Sequence, residues 1–225
     1  MASHKGEDQV IARLLPDIEK GFYIDVGAND PLTSSNSHPF YLKGWRGIDI
    51  EPIPFFAEKL RTVHPENYVI ECAVASCNID DVMLHVPDVG QEHWEIATLR
   101  YDIAQSHSKA GRGKSWSTVV VNQRTLNTLL HIPNALRDPN KIIDFMSLDV
   151  EGYEEEAFKG FDMRKWRPRV LCVEATYPST DIPTWDEWEH YVLDANYTFV
   201  KFDGCNRFYV RKEDEFRLKY VSSCK

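Results

Sequence analysis

Gly21-Phe22-Tyr23-Ile24-Asp25-Val26-Gly27-Ala28-Asn29-Asp30-Pro31 is the stretch that decides the fold of this chain. An apolar run broken only by Asp25 meets a glycine and then polar residues, without the alternation of a strand that has one wet face. Such a run is expected of a strand covered on both sides in a parallel sheet, with the chain turning over a ligand crevice at its carboxyl end. Ile48-Asp49-Ile50-Glu51-Pro52 and Leu148-Asp149-Val150-Glu151-Gly152 repeat the pattern, each setting carboxylates beside Pro or Gly at a strand end. Three acidic strand tips of this kind read as a nucleoside site.

Working outward, helical and extended signals alternate. Val10, Ile11, Leu14, Leu15 and Ile18 have helical spacing in residues 7–20, which feed a first strand at 22–26. A short helix around Phe40-Tyr41-Leu42 is closed by Gly44, a second strand covers 47–50, a helix 54–63 and a third strand 67–74. This is one half of a doubly wound α/β sheet in which helical crossovers join parallel strands. Residues 76–141 then break the rhythm, with β-like pieces at 82–86 and 118–121, a polar tract at 105–117 and a helix near 125–131. We expect this insertion to overhang the strand ends and recognise the substrate. Strands at 142–150 and 169–175, a helix at 185–195 and a hairpin of 197–202 with 207–211 complete a single domain spanning 1–225.

Composition narrows the function. With 225 residues, 43% of them hydrophobic, the chain can bury one substantial core. Its formal charge of −9 excludes general nucleic-acid binding. The five cysteines (Cys72, Cys77, Cys172, Cys205, Cys224) are odd in number and contain no Cys-x-x-Cys, so reduced thiols in a cytoplasmic protein are expected. The segment 1–8 is polar, and no apolar run reaches the roughly 18 residues of a membrane span. The tract Ser108-Lys109-Ala110-Gly111-Arg112-Gly113-Lys114-Ser115 ends like a phosphate-binding loop but has serine for the first glycine and precedes β-like residues, so it is not read as one. Its basic side chains are instead candidates for an anionic group on an acceptor, or a solvated loop.

After Gly27 the residues are Ala28, Asn29 and Asp30, which departs from the dinucleotide fingerprint. Carboxylates here suit a ligand carrying an ammonium and a sulfonium, namely S-adenosylmethionine. Gly27 is expected to let the backbone approach that ligand. Glu51, with Pro52 behind it, falls where a carboxylate can meet the ribose diol, and Cys72 and Ala73 fall where an adenine edge would lie.

At this point the chain resembles the FkbM family of methyltransferases. The matching residues run from Gly6-Glu7-Asp8 through Gly21 to Pro31, Ser35-Asn36-Ser37, and Phe40-Tyr41-Leu42-Lys43-Gly44-Trp45-Arg46-Gly47-Ile48. They continue with Ile50-Glu51-Pro52, Leu148-Asp149-Val150-Glu151-Gly152, and Arg167-Pro168 before Val173-Glu174. The resemblance implies a class I methyltransferase (Rossmann-like) fold, usually a seven-stranded sheet with its last strand antiparallel, and O-methyl transfer to sugars, polysaccharides or polyketide-like products. It also implies a cofactor site that includes Asp25, Gly27, Asn29, Ser35, Asn36 and Glu51.

Methyl transfer to an alcohol needs in-line positioning and a group that takes up the hydroxyl proton or stabilises the charge. Asp149, Glu151 and His38 are the catalytic candidates, with His107 as a further histidine in the insertion. Asp149 and Glu174 end strands expected to be neighbours. This resembles catechol O-methyltransferases, in which such acids hold Mg²⁺, and hard oxygen donors favour Mg or Mn over zinc. Helix-capping roles for Asp149 and Glu151 are the alternative. His93, Trp94 and Trp116 are candidate sugar-stacking residues. The expected partner is a glycan or other hydroxylated acceptor. The rival functions are an NAD-dependent oxidoreductase and a catalytically silent glycan-binding module of a larger polysaccharide-modifying enzyme.

Overall fold

A computed structural model describes residue 3, residues 5–113, 115–133, 136 and 141–221. Lys114 and Cys224, both named above, lie outside the described residues. Seven strands form the main sheet: β1 (Phe22–Val26), β2 (Arg46–Ile50), β3 (Tyr68–Ile70), β7 (Phe145–Leu148), β8 (Val170–Glu174), β9 (Tyr197–Phe202) and β10 (Asn206–Arg211). Their spatial order is β3-β2-β1-β7-β8-β10-β9. All neighbours are parallel except β10, which runs antiparallel to both β8 and β9. The α/β doubly wound expectation holds, including the terminal hairpin.

The unalternated strands are explained by apolar cover on both faces. Phe22, Ile24 and Val26 join Ile48, Ile50, Met146, Leu148, Leu171 and Val173 in one buried cluster. Tyr23 faces the other way, with Phe145, Val170 and Phe208, beneath Ile11 and Leu14 of α1 (Glu7–Leu14) and Phe40 of α2 (His38–Leu42). Burying such side chains contributes about 1.5–3 kcal/mol each. The first helix is shorter than the apolar spacing of 7–20 predicts, because Pro16 cannot continue it and Leu15 leaves helical geometry at φ −125°, ψ 44°.

Two expectations are corrected. Residues 67–74 are not one strand: β3 stops at Ile70, and Ala73–Val74 (β4) leaves the main sheet to pair in parallel with Gln123 and Arg124. It thereby joins a second sheet of order β4-β6-β5, built from the long antiparallel pair β5 (Ile79–Pro87) and β6 (Trp116–Arg124). The polar tract at 105–117 likewise contains the end of a helix, α4 (Tyr101–Lys109). Ile103, Ala104 and His107 provide its buried stripe at helical spacing, which the surrounding Gln and Ser residues concealed. The remaining helices are α3 (Pro54–Val63), α5 (Leu126–Leu129), α6 (Glu154–Lys159) and α7 (Trp185–Asp194). Among the described residues no helix is long and apolar enough to cross a membrane.

Candidate functional site

Strand order reverses between β1 and β7, and a cleft of about 940 Å³ opens there at the carboxyl ends of β1, β2, β7 and β8. This is where open α/β sheets bind ligands. The cleft is lined by Asp25, Gly27, Asn29, Ser35, Asn36, Glu51, Pro52, Cys72, Ala73, Asp149, Glu151 and Glu174, so these sequence-derived candidates converge on one space.

At the β1–β2 end the turns are tied tightly. Gly27 and Ala28 donate their backbone N–H groups to the Ile50 carbonyl at 2.9 and 3.1 Å. Glu51 accepts from Asn29 N at one carboxylate oxygen and from Ile53 N at the other, both at 2.8 Å. Each oxygen keeps a second lone pair for a ligand hydroxyl. Burial pushes the Glu51 carboxyl up to about 7, against the pull of those two N–H donors. Asp25 is also pushed up to about 7, by burial first and then by the neighbouring Asp49, while the Ser37 hydroxyl opposes the shift. Asp30 turns aside to pair with Lys59 at 2.6 Å.

Gly27 is required by its packing as well as lining the cleft. At its φ of +76°, an added Cβ would collide with the carbonyl oxygen of Asp149. The glycine therefore makes room for the turn after β7.

The residues fit the adenosyl cofactor. Asn36 donates from Nδ2 to Ser147 Oγ at 3.0 Å, leaving its Oδ1 buried without a hydrogen-bond partner among the described residues, an acceptor suited to an ammonium. Cys72 and Ala73 are buried on the wall beyond Glu51, where the thiol is pushed up to about 11 by burial.

At the β7–β8 end four carboxylates crowd together. Oxygens of Asp149, Glu154 and Glu174 all lie within 4.8 Å of one another. Glu154 is not among the candidates the sequence offers, because Glu154-Glu155-Glu156 reads as the first turn of a helix. Its Oε1 in fact reaches back to accept from Val150 N at 3.1 Å and Gly152 N at 3.3 Å. Burial and then Asp149 push it up to about 7. Glu174 is only 6% exposed, its Oε2 has no hydrogen-bond partner among the described residues, and burial followed by Asp149, Glu151 and Glu154 raises it well above the carboxylate range. Glu151 is raised in the same direction by burial, Asp149 and Glu154. This all-oxygen donor set, with an orphaned buried acceptor, fits a hard divalent cation.

His38 is placed elsewhere. Its Nδ1 lies 3.0 Å from His64 Nε2, and His64 Nδ1 lies 3.0 Å from Asp49 Oδ2, so the ring closes a buried chain behind β2 and is not part of the cleft lining. His107 stacks on Trp116 at 5.7 Å, also away from the cleft. His93 and Trp94 do line it, as does Arg112 of the basic tract, together with Lys5, Glu95 and Asp181, which no local motif singles out.

A family model described as the methyltransferase FkbM domain matches residues 25–199. The crystal structure of methyltransferase FkbM from Methylobacillus flagellatus KT is similar in fold, with a TM-score of 0.51 at 17% identity, over 85% of this chain and 44% of that one. The present chain thus corresponds to less than half of that relative's length. No curated protein matches it.

Proposed function

The chain belongs to the FkbM methyltransferase domain family, and on that premise we propose that it transfers the methyl group of S-adenosylmethionine to a hydroxyl oxygen of a sugar in a glycan or polysaccharide. One observation carries this reading: a single cleft at the sheet's switch point has Asp25, Asn36 and Glu51 at one end and Asp149, Glu151 and Glu174 at the other, with a Glu154 oxygen within 4.8 Å of those of Asp149 and Glu174. The first group supplies acceptors for a ribose diol and a cationic methionine end. The second supplies carboxylates for an acceptor hydroxyl.

S-adenosylmethionine would supply the methyl group, which the acceptor oxygen would take as the carbon–sulfur bond breaks, while Glu151 would accept the hydroxyl proton and Asp149 would orient the hydroxyl. A carboxylate raised above its usual range is a stronger base for that proton. His38 takes no part in this step, since its ring is turned into the protein against His64. Asp149 and Glu174, joined by Glu154, would hold Mg²⁺ or Mn²⁺. A cation there supplies Lewis-acid stabilisation of the developing alkoxide. The half-buried Trp94 and the polar rim residues Ser179, Thr180 and Asp181 support a polyol acceptor rather than a flat hydrophobic one.

The deciding experiment incubates the protein with radiolabelled S-adenosylmethionine and a panel of oligosaccharides, with EDTA or with added Mg²⁺ or Mn²⁺. Label appearing in an alkali-stable ether on a sugar supports the reading. Tight binding of adenosylhomocysteine with no transfer to any acceptor would leave a silent module, and binding of NAD(H) in its place would make the chain an oxidoreductase.

A further inference from the structure

The turn after β7 is held in an unfavourable shape from outside. Glu151 has φ +53°, in the left-handed region that a residue with a side chain occupies at a cost of roughly 1–3 kcal/mol. What holds it is the insertion. Thr98, 1% exposed, is fixed to β5 by two backbone hydrogen bonds with His85, at 2.9 and 3.1 Å. Its hydroxyl accepts from Arg100 N at 3.0 Å and donates to the carbonyl of Glu151 at 2.9 Å. Arg100 donates from Nη1 to the next carbonyl, that of Gly152, at 3.3 Å. Its guanidinium is itself locked by Asp102 through contacts of 3.1 and 2.6 Å. Ile103 fills the space where a Cβ on Gly152 would stand.

We propose that Thr98 and Arg100 are positioning residues that grip successive carbonyls of the Glu151-Gly152 turn and so hold the Glu151 carboxylate at the reacting end of the cleft. The inference rests on the methyl-transfer reading for its consequence, and on hydrogen bonds alone for its geometry. A buried hydroxyl lost from such a grip leaves the Glu151 carbonyl without that donor, and the turn relaxes toward ordinary backbone angles. Small displacements of a group at a reacting centre cost rate far more than binding. The insertion therefore does more than cover the acceptor: it completes the catalytic turn.

The test uses the full chain with Thr98→Val, which keeps shape and removes the donor, Thr98→Ser, which restores it, and Arg100→Gln. The valine variant should lose about 10- to 100-fold in kcat. Its KM for the acceptor and Kd for adenosylhomocysteine should stay within about threefold, and serine should recover most of the rate. Amide hydrogen exchange gives a second readout that needs no turnover. Val150 and Gly152 should exchange at least about tenfold faster in Thr98→Val and Arg100→Gln, while Asn29, bonded to Glu51, stays protected. A valine variant with wild-type kcat overturns the proposal, as does equal loss in the valine and serine variants. If the wild type transfers no methyl group at all, the functional reading fails on its own. Unchanged exchange at Val150 and Gly152 would then still dismiss the grip.

Discussion

At the β1–β2 end of the cleft both oxygens of Glu51 receive backbone N–H groups, whereas at the β7–β8 end Glu174 buries an oxygen with no hydrogen-bond partner among the described residues. Both ends are acidic and both are removed from water, yet Glu51 is satisfied at both oxygens by the protein's own N–H groups and Glu174 is not. Asp25 and Glu51 stand at two strand tips, Asp25 beside the Ser37 hydroxyl and Glu51 tied to the turns at Asn29 and Ile53. Asp149, Glu151, Glu154 and Glu174 converge, and burial followed by the charge of Asp149 disfavours ionisation of the other three. The contrast separates a carboxylate already held by backbone donors from one that positive charge or a proton would complete.

The largest expected effect comes from removing the crowded end while sparing the tied one. Asp149→Asn should lower kcat by about 10²- to 10⁴-fold. The affinity for adenosylhomocysteine, measured by calorimetry, should hardly change, because what Asp149 presents to Gly27 is its backbone carbonyl. Near-wild-type turnover would remove the distinction between the two ends. Gly27→Ala should do the reverse and damage the tied end through its φ of +76° and the collision with the Asp149 carbonyl. A loss of about 2–4 kcal/mol is expected, which for a chain of this size lowers Tm by about 4–16 °C. An unshifted melting curve would show that the two turns do not meet as described.

Glu51→Gln is a milder cut. The amide keeps one acceptor oxygen but sets a donor against either Asn29 N or Ile53 N, an expected loss of about 1–3 kcal/mol in cofactor affinity with kcat nearly unchanged. The same carboxylate gives a pH test whose sign is fixed. Asp25 and Glu51 are raised to about 7 by burial, so their contribution to folded stability is greatest at low pH and is lost as pH climbs from the ordinary carboxylate range to about 7. A cationic ligand favours their ionised forms. S-adenosylmethionine should therefore bind more tightly as pH rises through about 7, by at most about tenfold per unit for each proton released, and more steeply than the uncharged thioether product. Identical slopes for the two ligands would argue against an electrostatic cradle. The smallest effect belongs to Glu174→Gln, which removes one of the mutually repelling acids. It should raise Tm by about 2–4 °C at pH 8 while depressing transfer, and a fall in Tm would mean that Glu174 is held by partners the comparison assigns only to the other end.

Much of the tied end was legible in the sequence because it follows from strand periodicity. Phe22 to Val26 reads as a buried parallel strand, and the positions of Gly27 and Glu51 follow once strand ends are aligned. The crowded end was harder. Asp149 and Glu174 also fall at strand ends, but Glu154 acts by folding back from the first turn of α6, a choice between capping outward and reaching inward that depends on the turn before it. His38 failed as a cleft residue because proximity in sequence to Ser35 and Asn36 says nothing about which side of the sheet a helix start will face, and its partner His64 comes from the end of α3. Helix α4 was hidden by its composition, since three buried positions among Gln, Ser and Lys carry its packing. The departure of β4 from the main sheet could not be read locally at all, because pairing with Gln123 and Arg124 is decided some fifty residues downstream.

That departure bears on how such a protein can be diversified. Cys72 and Ala73 line the cleft, while Ala73 and Val74 are already hydrogen-bonded into the sheet that carries β5 and β6. The seam between the main sheet and the inserted sheet thus falls at Glu71 and Cys72, between β3 and β4, and runs through the cleft wall at Cys72. A segment exchanged from residue 76 onward keeps that wall only if it brings its own edge to pair with Ala73 and Val74. Changes to the cleft rim at residues 92–97 therefore disturb this pairing less than wholesale exchange of the inserted sheet.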